Sequence, residues 1–474
     1  MSRLHRLSAL LGPLLIAGCA APDLGPRPEM ATPGAYPIAQ SVAGITPAAA
    51  AWPEAEWWRA YRDSQLDALV AEALKGSPSV AIAAARVRQA EGARLRAGAA
   101  GQPQITGNGS AGLNKQSYNN GIPADFVPKG WNDVGRLSLD FSLDLDLWGR
   151  TRAAVAAATS EREAARIDAA QAALLLTTDV VAAYADLARL YAEQDVLQRA
   201  FELRSDNAKL VSDRVRTGLD TQAELKQSAS AVPASRVDLA ANAEQIALTR
   251  NRIAALVGAG PDRALAITRP VAVVAPGEAL PADVGIALVA RRPDIAAARA
   301  RVDAAASRIK VARADFYPNI SLSGLIGLQS LYLDNLLKGG SEIGQVGPAI
   351  SLPIFRGGAL KGQFTEARGV YDEAVATYDR TLLTAVREVA DAVTSRHQLA
   401  AQLIDARAAL TDAEGAYRVA QLRYKGGLST YLNVLSAEQN VLTARRVLAG
   451  VEARRLTTDV ALVRALGGGF RTGA

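Results

Sequence analysis

The sequence predicts an α+β membrane protein in which each chain supplies four transmembrane β-strands to a shared barrel, and a long α-helical tube continues that barrel. Three observations predict this fold. The same order of signals occurs twice along the 474 residues, each copy holds two stretches that alternate apolar and polar residues, and each copy then runs for a long distance without proline. Pro78 and Pro293 open corresponding helices, offset by 215 (293 − 78), whereas Gly218 and Gly427 are offset by 209 (427 − 218). The chain is therefore predicted to be an internal duplication.

The first residues resemble the signal of a bacterial lipoprotein. Basic residues precede an apolar stretch at 7–16 that is too short to span a bilayer, and small residues then precede Cys19, the only cysteine. The resemblance implies N-acyl and S-diacylglycerol lipid on Cys19, which would anchor the chain at ~0.8 kcal/mol for each buried methylene. A plain signal peptide with an incidental cysteine is the alternative. We predict a signal peptide at 1–18 and a lipidated, extended segment at 19–63.

The composition argues against catalysis and against nucleic-acid binding. The formal net charge is +6, but the sequence contains no basic run and no basic patch with interleaved aromatic residues. Nucleic acid is therefore not an expected partner. After the predicted cleavage, His397 is the only histidine, and it lies in an alanine-rich helical stretch. No histidine or cysteine cluster with metal-ligand spacing and no glycine-rich phosphate loop after a strand is present in the sequence. We predict a protein that is not an enzyme and has no cofactor or metal.

The period-two stretches predict the strands. Residues 136–147 alternate without a break, and the polar face carries Asp140, Asp144 and Asp146, too much charge to bury without partners. A strand of about ten residues crosses a bilayer when tilted. Four strands cannot close a membrane barrel, whose smallest form has about eight, so two, three or four copies must share one. A soluble sandwich is the alternative, which four strands cannot build with both faces covered. The other three predicted strands lie near 105–113, 320–328 and 346–354.

Two very long helices are predicted at 149–218 and 357–427. At ~1.5 Å per residue each would extend roughly 100 Å, far beyond a hydrocarbon core, and both are too polar to lie in lipid. They should therefore continue the barrel into an aqueous compartment. Pro233 predicts a kink or an end in the first returning helix. The predicted domains are the repeats at 64–262 and 283–466, a linker at 263–282 and a tail at 467–474.

Three motifs occur in this order along the chain: Trp57-Trp58-Arg59-x-Tyr61-x-Asp63-x-x-Leu66-x-x-Leu69, Leu145-Asp146-Leu147-Trp148-Gly149-Arg150 and Ser351-Leu352-Pro353-Ile354-Phe355-x-Gly357-Gly358. Taken together, they resemble the outer membrane factor family, specifically its NodT-type lipoprotein branch. This family comprises the TolC-like exit ducts of bacterial tripartite efflux pumps and type I secretion. The resemblance implies a homotrimer in the outer membrane, with a twelve-stranded barrel and a twelve-helix periplasmic tube. It also implies a periplasmic adaptor and an inner-membrane transporter, of the RND type or another, as partners.

The resemblance places the gate and the adaptor contact at the turns between the long and returning helices. Asn433 and Ser436 stand where many relatives have aspartates, so a carboxylate gate is not expected at these positions. Leu432 is a candidate apolar constriction, with helix packing as the alternative. Asp220 and Glu224 lie near the equivalent turn and could supply charge. The residues expected to contact the adaptor are Arg214, Gly218, Leu219, Arg423, Gly427 and Leu428.

The predicted function is passive conduction of small molecules, such as drugs or toxic compounds, out of the cell. The energy would come from the inner-membrane partner, because the sequence has no nucleotide site or proton-relay segment. A duct for type I secretion or metal efflux is the alternative. A lipid-anchored structural rod is less favoured because it needs no lipid-facing strands. A periplasmic adaptor is less favoured because adaptors have one helical hairpin between lipoyl-like halves.

Overall fold

Both copies fold into the same series of elements: a helix, a β-hairpin, a very long helix and a returning helix. The structure is a computed structural model and describes residues 22–38, 40, 52–271, 288 and 291–471. The first copy contains α1 (Ser64–Gly76), α2 (Pro78–Ala99), β1 (Gln104–Asn114), β2 (Asn132–Asp144), α3 (Arg150–Arg216) and α4 (Gln222–Leu256). The second contains α5 (Pro293–Ala314), β3 (Asn319–Leu331), β4 (Glu342–Ser351), α6 (Ala359–Lys425) and α7 (Tyr431–Ala465).

The helix lengths match between the copies. The two long helices α3 and α6 have 67 residues each, and the returning helices α4 and α7 have 35 each. The predicted long and returning helices are thus confirmed. An end at Pro233 was the wrong expectation, because α4 continues through that residue. One proline removes a single backbone donor, and the remaining hydrogen bonds keep the rest of this helix continuous.

The four strands form one antiparallel sheet in the order β1-β2-β3-β4. Gly107 pairs with Leu139, and Leu139 pairs with Ile326, so these residues share one face. That face is apolar and open, because Leu139 is 54% and Ile326 is 68% exposed. On the opposite face, the Asp140 carboxylate accepts hydrogen bonds from the Asn108 amide at 2.6 Å and the Ser138 hydroxyl at 2.9 Å. The sheet therefore has one apolar and one polar face, as the alternation predicts.

The polar face ends earlier than predicted. Strand β2 stops at Asp144, and Asp146 has a positive φ of 46° that turns the chain toward α3. The carboxylate of Asp146 accepts backbone N–H groups of Thr151 at 2.8 Å and Arg152 at 3.0 Å. Asp146 therefore caps the start of the long helix and does not belong to the polar strand face. Free N–H groups at a helix start favour a carboxylate there.

The described chain divides into two compact units that cut across the duplication. Among the described residues, the first unit contains the sheet and the helix ends next to it, at 22–30, 87–165 and 298–377. The second contains the remaining described residues, at 31–38, 40, 52–86, 166–271, 288, 291–297 and 378–471. Each unit therefore combines parts of both copies.

In the first unit, the segment predicted to be extended lies along α6. The Arg368 guanidinium donates to the carbonyl of Gly25 at 3.1 Å and to that of Pro26, and the Tyr371 hydroxyl donates to the carbonyl of Pro28 at 3.2 Å. Residues 22–32 contain no helix or strand. Cys19 and the predicted signal peptide lie outside the described residues.

In the second unit, the tryptophan-rich motif forms a polar and aromatic centre. Asp63 is buried and caps α1 by accepting N–H groups of Gln65 and Leu66 at 2.9 and 3.2 Å. The same carboxylate accepts the Tyr184 hydroxyl of α3 at 2.7 Å. The Tyr61 hydroxyl donates to Asp459 of α7 at 2.6 Å. The motif therefore ties the start of the first copy to a long helix and to the last helix. The apolar core around it contains Trp57, Trp58, Leu66, Leu69, Val180, Leu187 and Ile253.

A backbone contact of the second unit occurs once in each copy. A Cβ on Gly258, which follows α4, would lie 2.3 Å from the carbonyl oxygen of Gly76, at the end of α1. A Cβ on Gly467, which follows α7, would lie 1.9 Å from the carbonyl oxygen of Arg291. The two pairs correspond under the offsets of the duplication (76 + 215 = 291 and 258 + 209 = 467). Both glycines also have positive φ, 78° and 89°. Only a residue without a side chain fits here.

We expect Gly467→Ala to destabilise the protein, because a methyl group cannot fit at 1.9 Å from a backbone oxygen and φ is positive. Overpacking of this kind costs roughly 1–3 kcal/mol. The matched control is Gly450→Ala in α7, where a Cβ would meet nothing within 4 Å. Removing a helical glycine there should stabilise by about 0.5–1 kcal/mol. Thermal unfolding in detergent measures both, and equal midpoints for the two variants would contradict the contact.

Candidate functional site

The candidate site is formed by the two turns that connect the long helices to the returning helices. We call residues 217–221 turn A and residues 426–430 turn B. In turn A, Gly218 has φ 71° and the N–H of Leu219 donates to the carbonyl of Arg214 at 2.8 Å. Turn B repeats this arrangement with Gly427 at φ 73° and the N–H of Leu428 on the carbonyl of Arg423, also at 2.8 Å. Left-handed glycines that close a helix end in this way explain both glycines.

Turn A is joined to the end of α6 by three side chains. The Arg214 guanidinium donates to the Asp220 carboxylate at 3.0 Å, and the Tyr424 hydroxyl donates to the same carboxylate. The guanidinium also lies 4.5 Å from the centre of the Tyr424 ring. The hydrogen bond that Arg214 donates to Asp220 is the largest cause that raises the pKa of Arg214, whereas burial is the largest cause that raises the pKa of Tyr424. The Asp220 charge is therefore balanced within the chain.

Turn B lacks this arrangement. Arg423 occupies the position that corresponds to Arg214 (214 + 209 = 423), but its side chain is exposed and makes no hydrogen bond or ion pair with the described residues. The turn leucines are also open, with Leu219 65% and Leu428 73% exposed. The two turns therefore share a backbone and differ in charge.

The three residues predicted at the aperture lie together on the first turns of α7. Leu432 is 61% exposed, and Asn433 and Ser436 are also exposed. Glu224 lies at the start of α4, where its carboxylate accepts the Thr221 N–H at 2.9 Å in a capping box. The hydrogen bond from the Thr221 hydroxyl is the main cause of a lowered pKa of Glu224. The carboxylates of Asp220 and Glu224 thus both have partners close to the turns, whereas the α7 residues face outward.

Sequence reasoning missed a buried acidic residue in the same region. Glu438 of α7 is only 1% exposed. Its carboxylate accepts hydrogen bonds from two side chains of α3, the Arg204 guanidinium at 3.1 Å and the Asn207 amide at 2.8 Å. Tyr417 of α6 accepts the same Asn207 amide at 3.3 Å. Burial raises the pKa of Glu438, although the hydrogen bonds from Arg204 and Asn207 act in the opposite direction. Burial also raises the pKa of the nearby Tyr431 to about 12. The cluster links three helices behind the turns.

A periodicity signal could have found this residue. Tyr431, Val434, Glu438 and Val441 follow one another at steps of three and four, and all four are buried. Such steps mark the contact face of a helix. An acidic residue on that face needs a partner from a neighbouring helix, and Arg204 is that partner.

Comparisons with known proteins show the family and the fold to which the chain is similar. The family model described as "Outer membrane efflux protein" matches residues 69–259 and 287–468. FusA, a fusaric acid resistance protein of Burkholderia cepacia, is 38% identical over 375 residues, which cover 76% of this chain and 68% of FusA. MdtP, a multidrug resistance outer membrane protein of Escherichia coli K12, is 32% identical, with 78% and 76% covered. The crystal structure of VceC, an outer membrane protein of Vibrio cholerae, has a TM-score of 0.84 and 43% identity, covering 89% of this chain and 100% of VceC. The predicted family resemblance and fold class are confirmed.

We expect Glu438→Gln to remove a pH dependence of the helix ends. A raised carboxyl pKa means that the folded state binds the proton more tightly than the unfolded state, so stability rises as pH falls toward the ordinary value of about 4.3. Glutamine carries no charge to desolvate, and the variant should lose this rise. Hydrogen exchange of peptides from the start of α7, corrected for intrinsic rates, measures it.

The matched control is Glu452→Gln, which removes an exposed partner of Arg407. An exposed pair contributes at most about 1 kcal/mol, so this variant should keep the wild-type pH dependence. A Glu438→Gln protein whose protection still rises with acid as in the wild type would show that another group is responsible.

Proposed function

The chain belongs to the outer membrane efflux protein family, and from that premise we propose that it forms the outer-membrane exit duct of a tripartite pump for small toxic compounds. Channels of this family are trimers that work with an adaptor and an inner-membrane transporter. Three copies of the four-stranded sheet would supply twelve strands (3 × 4). The chain is not an enzyme, in keeping with its family.

The observation that carries the proposal is the two-faced sheet within a chain whose family match covers both copies. The open apolar face, with Ile105 70% and Ile350 70% exposed, suits the hydrocarbon of a membrane. The polar face, with Asp140 and its partners, suits a water-filled interior. Strands β2 and β4 are each followed by a helix of 67 residues, which suits a barrel that continues into the periplasm.

Planar bilayers test the proposal. The purified protein should run as a heat-modifiable trimer in gels and should produce conductance steps after insertion. Absence of both would contradict a duct and would favour the structural rod.

The substrate class is proposed from relatives. The names of FusA and MdtP concern resistance to fusaric acid and to multiple drugs. These names favour small organic compounds as the cargo of this chain. A duct for type I secretion or metal efflux is the second candidate. Deletion of the gene should lower the resistance of the host to such compounds, whereas a defect restricted to a secreted protein or a metal would favour the second candidate.

We propose that the turns bind the periplasmic adaptor, whose inner-membrane partner is a transporter of the RND type or another type. The exposed Leu219, Leu428 and Arg423 support a surface for a protein partner, because apolar side chains with a nearby free cation suit such contacts. Gly218, Gly427 and Arg214 would set the shape of this surface. Co-purification with the adaptor tests it, and Leu428→Asp should weaken the complex while conductance remains.

We also propose that Leu432, Asn433 and Ser436 line the aperture at the periplasmic end, with Asp220 and Glu224 nearby. Their exposure on one side of α7 supports this arrangement. Leu432 would then be the apolar constriction. Asp220, whose charge Arg214 balances, would act mainly by holding turn A in place.

The double substitution Asn433→Asp with Ser436→Asp should increase the preference of the channel for cations, because it would place rings of carboxylates at the mouth. The reversal potential across a salt gradient measures this preference. Glu452→Gln, at an exposed site in the middle of α7 paired with Arg407, is the control and should leave the potential unchanged. An unshifted potential in the double variant would place the aperture elsewhere.

We further propose a lipid anchor at Cys19, which would carry N-acyl and S-diacylglycerol groups and fix the segment that lies along α6. The extended course of residues 22–32 supports such a tether. Cys19→Ser should lose metabolic labelling with a fatty acid, and a variant that remains labelled would refute the anchor.

Among the described residues, no group of three or more acidic, histidine or cysteine side chains could hold a metal ion.

A further inference from the structure

The loop between β3 and β4, residues 332–341, turns back over the sheet. Tyr332 has φ 76°, a conformation that residues with a side chain rarely adopt. Its N–H donates to the carbonyl of Asp133 at 2.7 Å, and the N–H of Leu333 donates to the Asp133 carboxylate at 2.6 Å. Asp133 belongs to the start of β2. The loop is therefore held against the neighbouring strand.

A glycine provides a slot for this loop on the apolar face. A Cβ on Gly135 would lie 2.7 Å from Cδ2 of Leu333 and 3.0 Å from Cδ2 of Leu336. Side chains alternate along a strand, so Gly135 faces the same side as Leu137 and Leu139. The two loop leucines therefore lie against the apolar face of the sheet, near the start of β2.

Leu337, the remaining leucine of the loop, is left uncovered by the described residues. Leu337 is 80% exposed and Leu333 is 42% exposed. Two hydrogen bonds to Asn335 hold the loop. The Ser341 hydroxyl donates to the Asn335 backbone carbonyl at 2.8 Å, and the Lys338 ammonium donates to the Asn335 side-chain oxygen at 2.8 Å. An ordered loop that presents leucines to the outside requires an apolar partner.

The position of the loop identifies that partner. Each strand is joined to a helix at one end, and residues 332–341 lie at the opposite end of the hairpin. The loop is continuous with the apolar face proposed to contact lipid. Trp131, 68% exposed, precedes Asp133 by two positions and so comes next in the same alternating row. Tryptophan is enriched where a membrane meets water.

We propose that residues 332–338 form a wedge whose leucines insert among the acyl chains of the outer leaflet, beside the barrel. The inference rests on the proposed duct, because it needs the sheet to span the outer membrane. The loop then widens the lipid contact of the barrel rim and leaves the mouth of the duct uncovered.

Fluorescent labels on single cysteines test the wedge in vesicles that contain phosphatidylcholine with brominated acyl chains. Leu337→Cys carries the label, Leu139→Cys on the apolar strand face reports the barrel, and Asn119→Cys in the exposed β1–β2 loop is the aqueous control. The wild-type protein, with Cys19 alone, measures background labelling. We expect the brominated lipid to remove most of the emission at 337 and 139, and iodide in the buffer to quench the label at 119.

Bromines near the headgroup should quench position 337 more than position 139, and bromines near the chain ends should reverse that order. Quenching at 139 with only iodide quenching at 337 would overturn the wedge and leave the duct intact, as expected for a loop that covers the mouth or meets another protein. No lipid quenching at 139 would remove the duct proposal and the wedge together.

The slot can be tested separately with Gly135→Val, which should displace the leucines and reduce the lipid quenching of a label at 337. Gly347→Val is the matched control, because a Cβ there would meet nothing within 4 Å. Heat-modifiability of both variants establishes that the trimer has formed. Equal lipid quenching in the two variants would show that Gly135 does not hold the wedge.

Discussion

The unpaired edges of the sheet are the constraint on which the rest of the structure depends. In the order β1-β2-β3-β4, strands β1 and β4 each have one neighbour in the described chain. Inside a bilayer, a backbone N–H or carbonyl without a partner costs several kcal/mol. The edges must therefore pair with those of other copies, and closing such a sheet with its apolar face outward encloses the polar side chains around water. The long helices, which follow β2 and β4, would then surround the continuation of that water-filled space.

The alanine-rich helices need additional contacts to keep a single register. The face of α5 that contains Ile295, Ala298, Val302, Ala305 and Ile309 is buried and made of small or aliphatic side chains. Such faces distinguish poorly between neighbouring registers, whereas a buried polar group specifies one. We infer that three buried polar pairs prevent the helices from sliding along one another. They are Tyr61 with Asp459, Tyr184 with Asp63 and Arg204 with Glu438.

The sequence predicts what depends on local periodicity. The strands, the helix lengths and the turns at Gly218 and Gly427 follow from alternation, from runs without proline and from residues that allow positive φ. The end of β2 could not be predicted, because Asp146 continues the alternation and leaves the strand only through its capping of α3. The Glu438 cluster depends on residues more than two hundred positions away, such as Asn207. The pairing of Asp220 with Tyr424 is invisible for the same reason.

The glycine contacts at Gly258 and Gly467 touch backbone atoms, at Gly76 in one copy and at Arg291 in the other. The contact itself needs only the carbonyl oxygen of the partner residue, which is glycine in one copy and arginine in the other, although a Cβ on Gly76 would lie 2.9 Å from the carbonyl oxygen of Val257. A duplicated gene could diverge at such positions without losing either half of the fold. Selection would then act on the two copies separately, which allows one turn to keep its arginine engaged and the other to expose it.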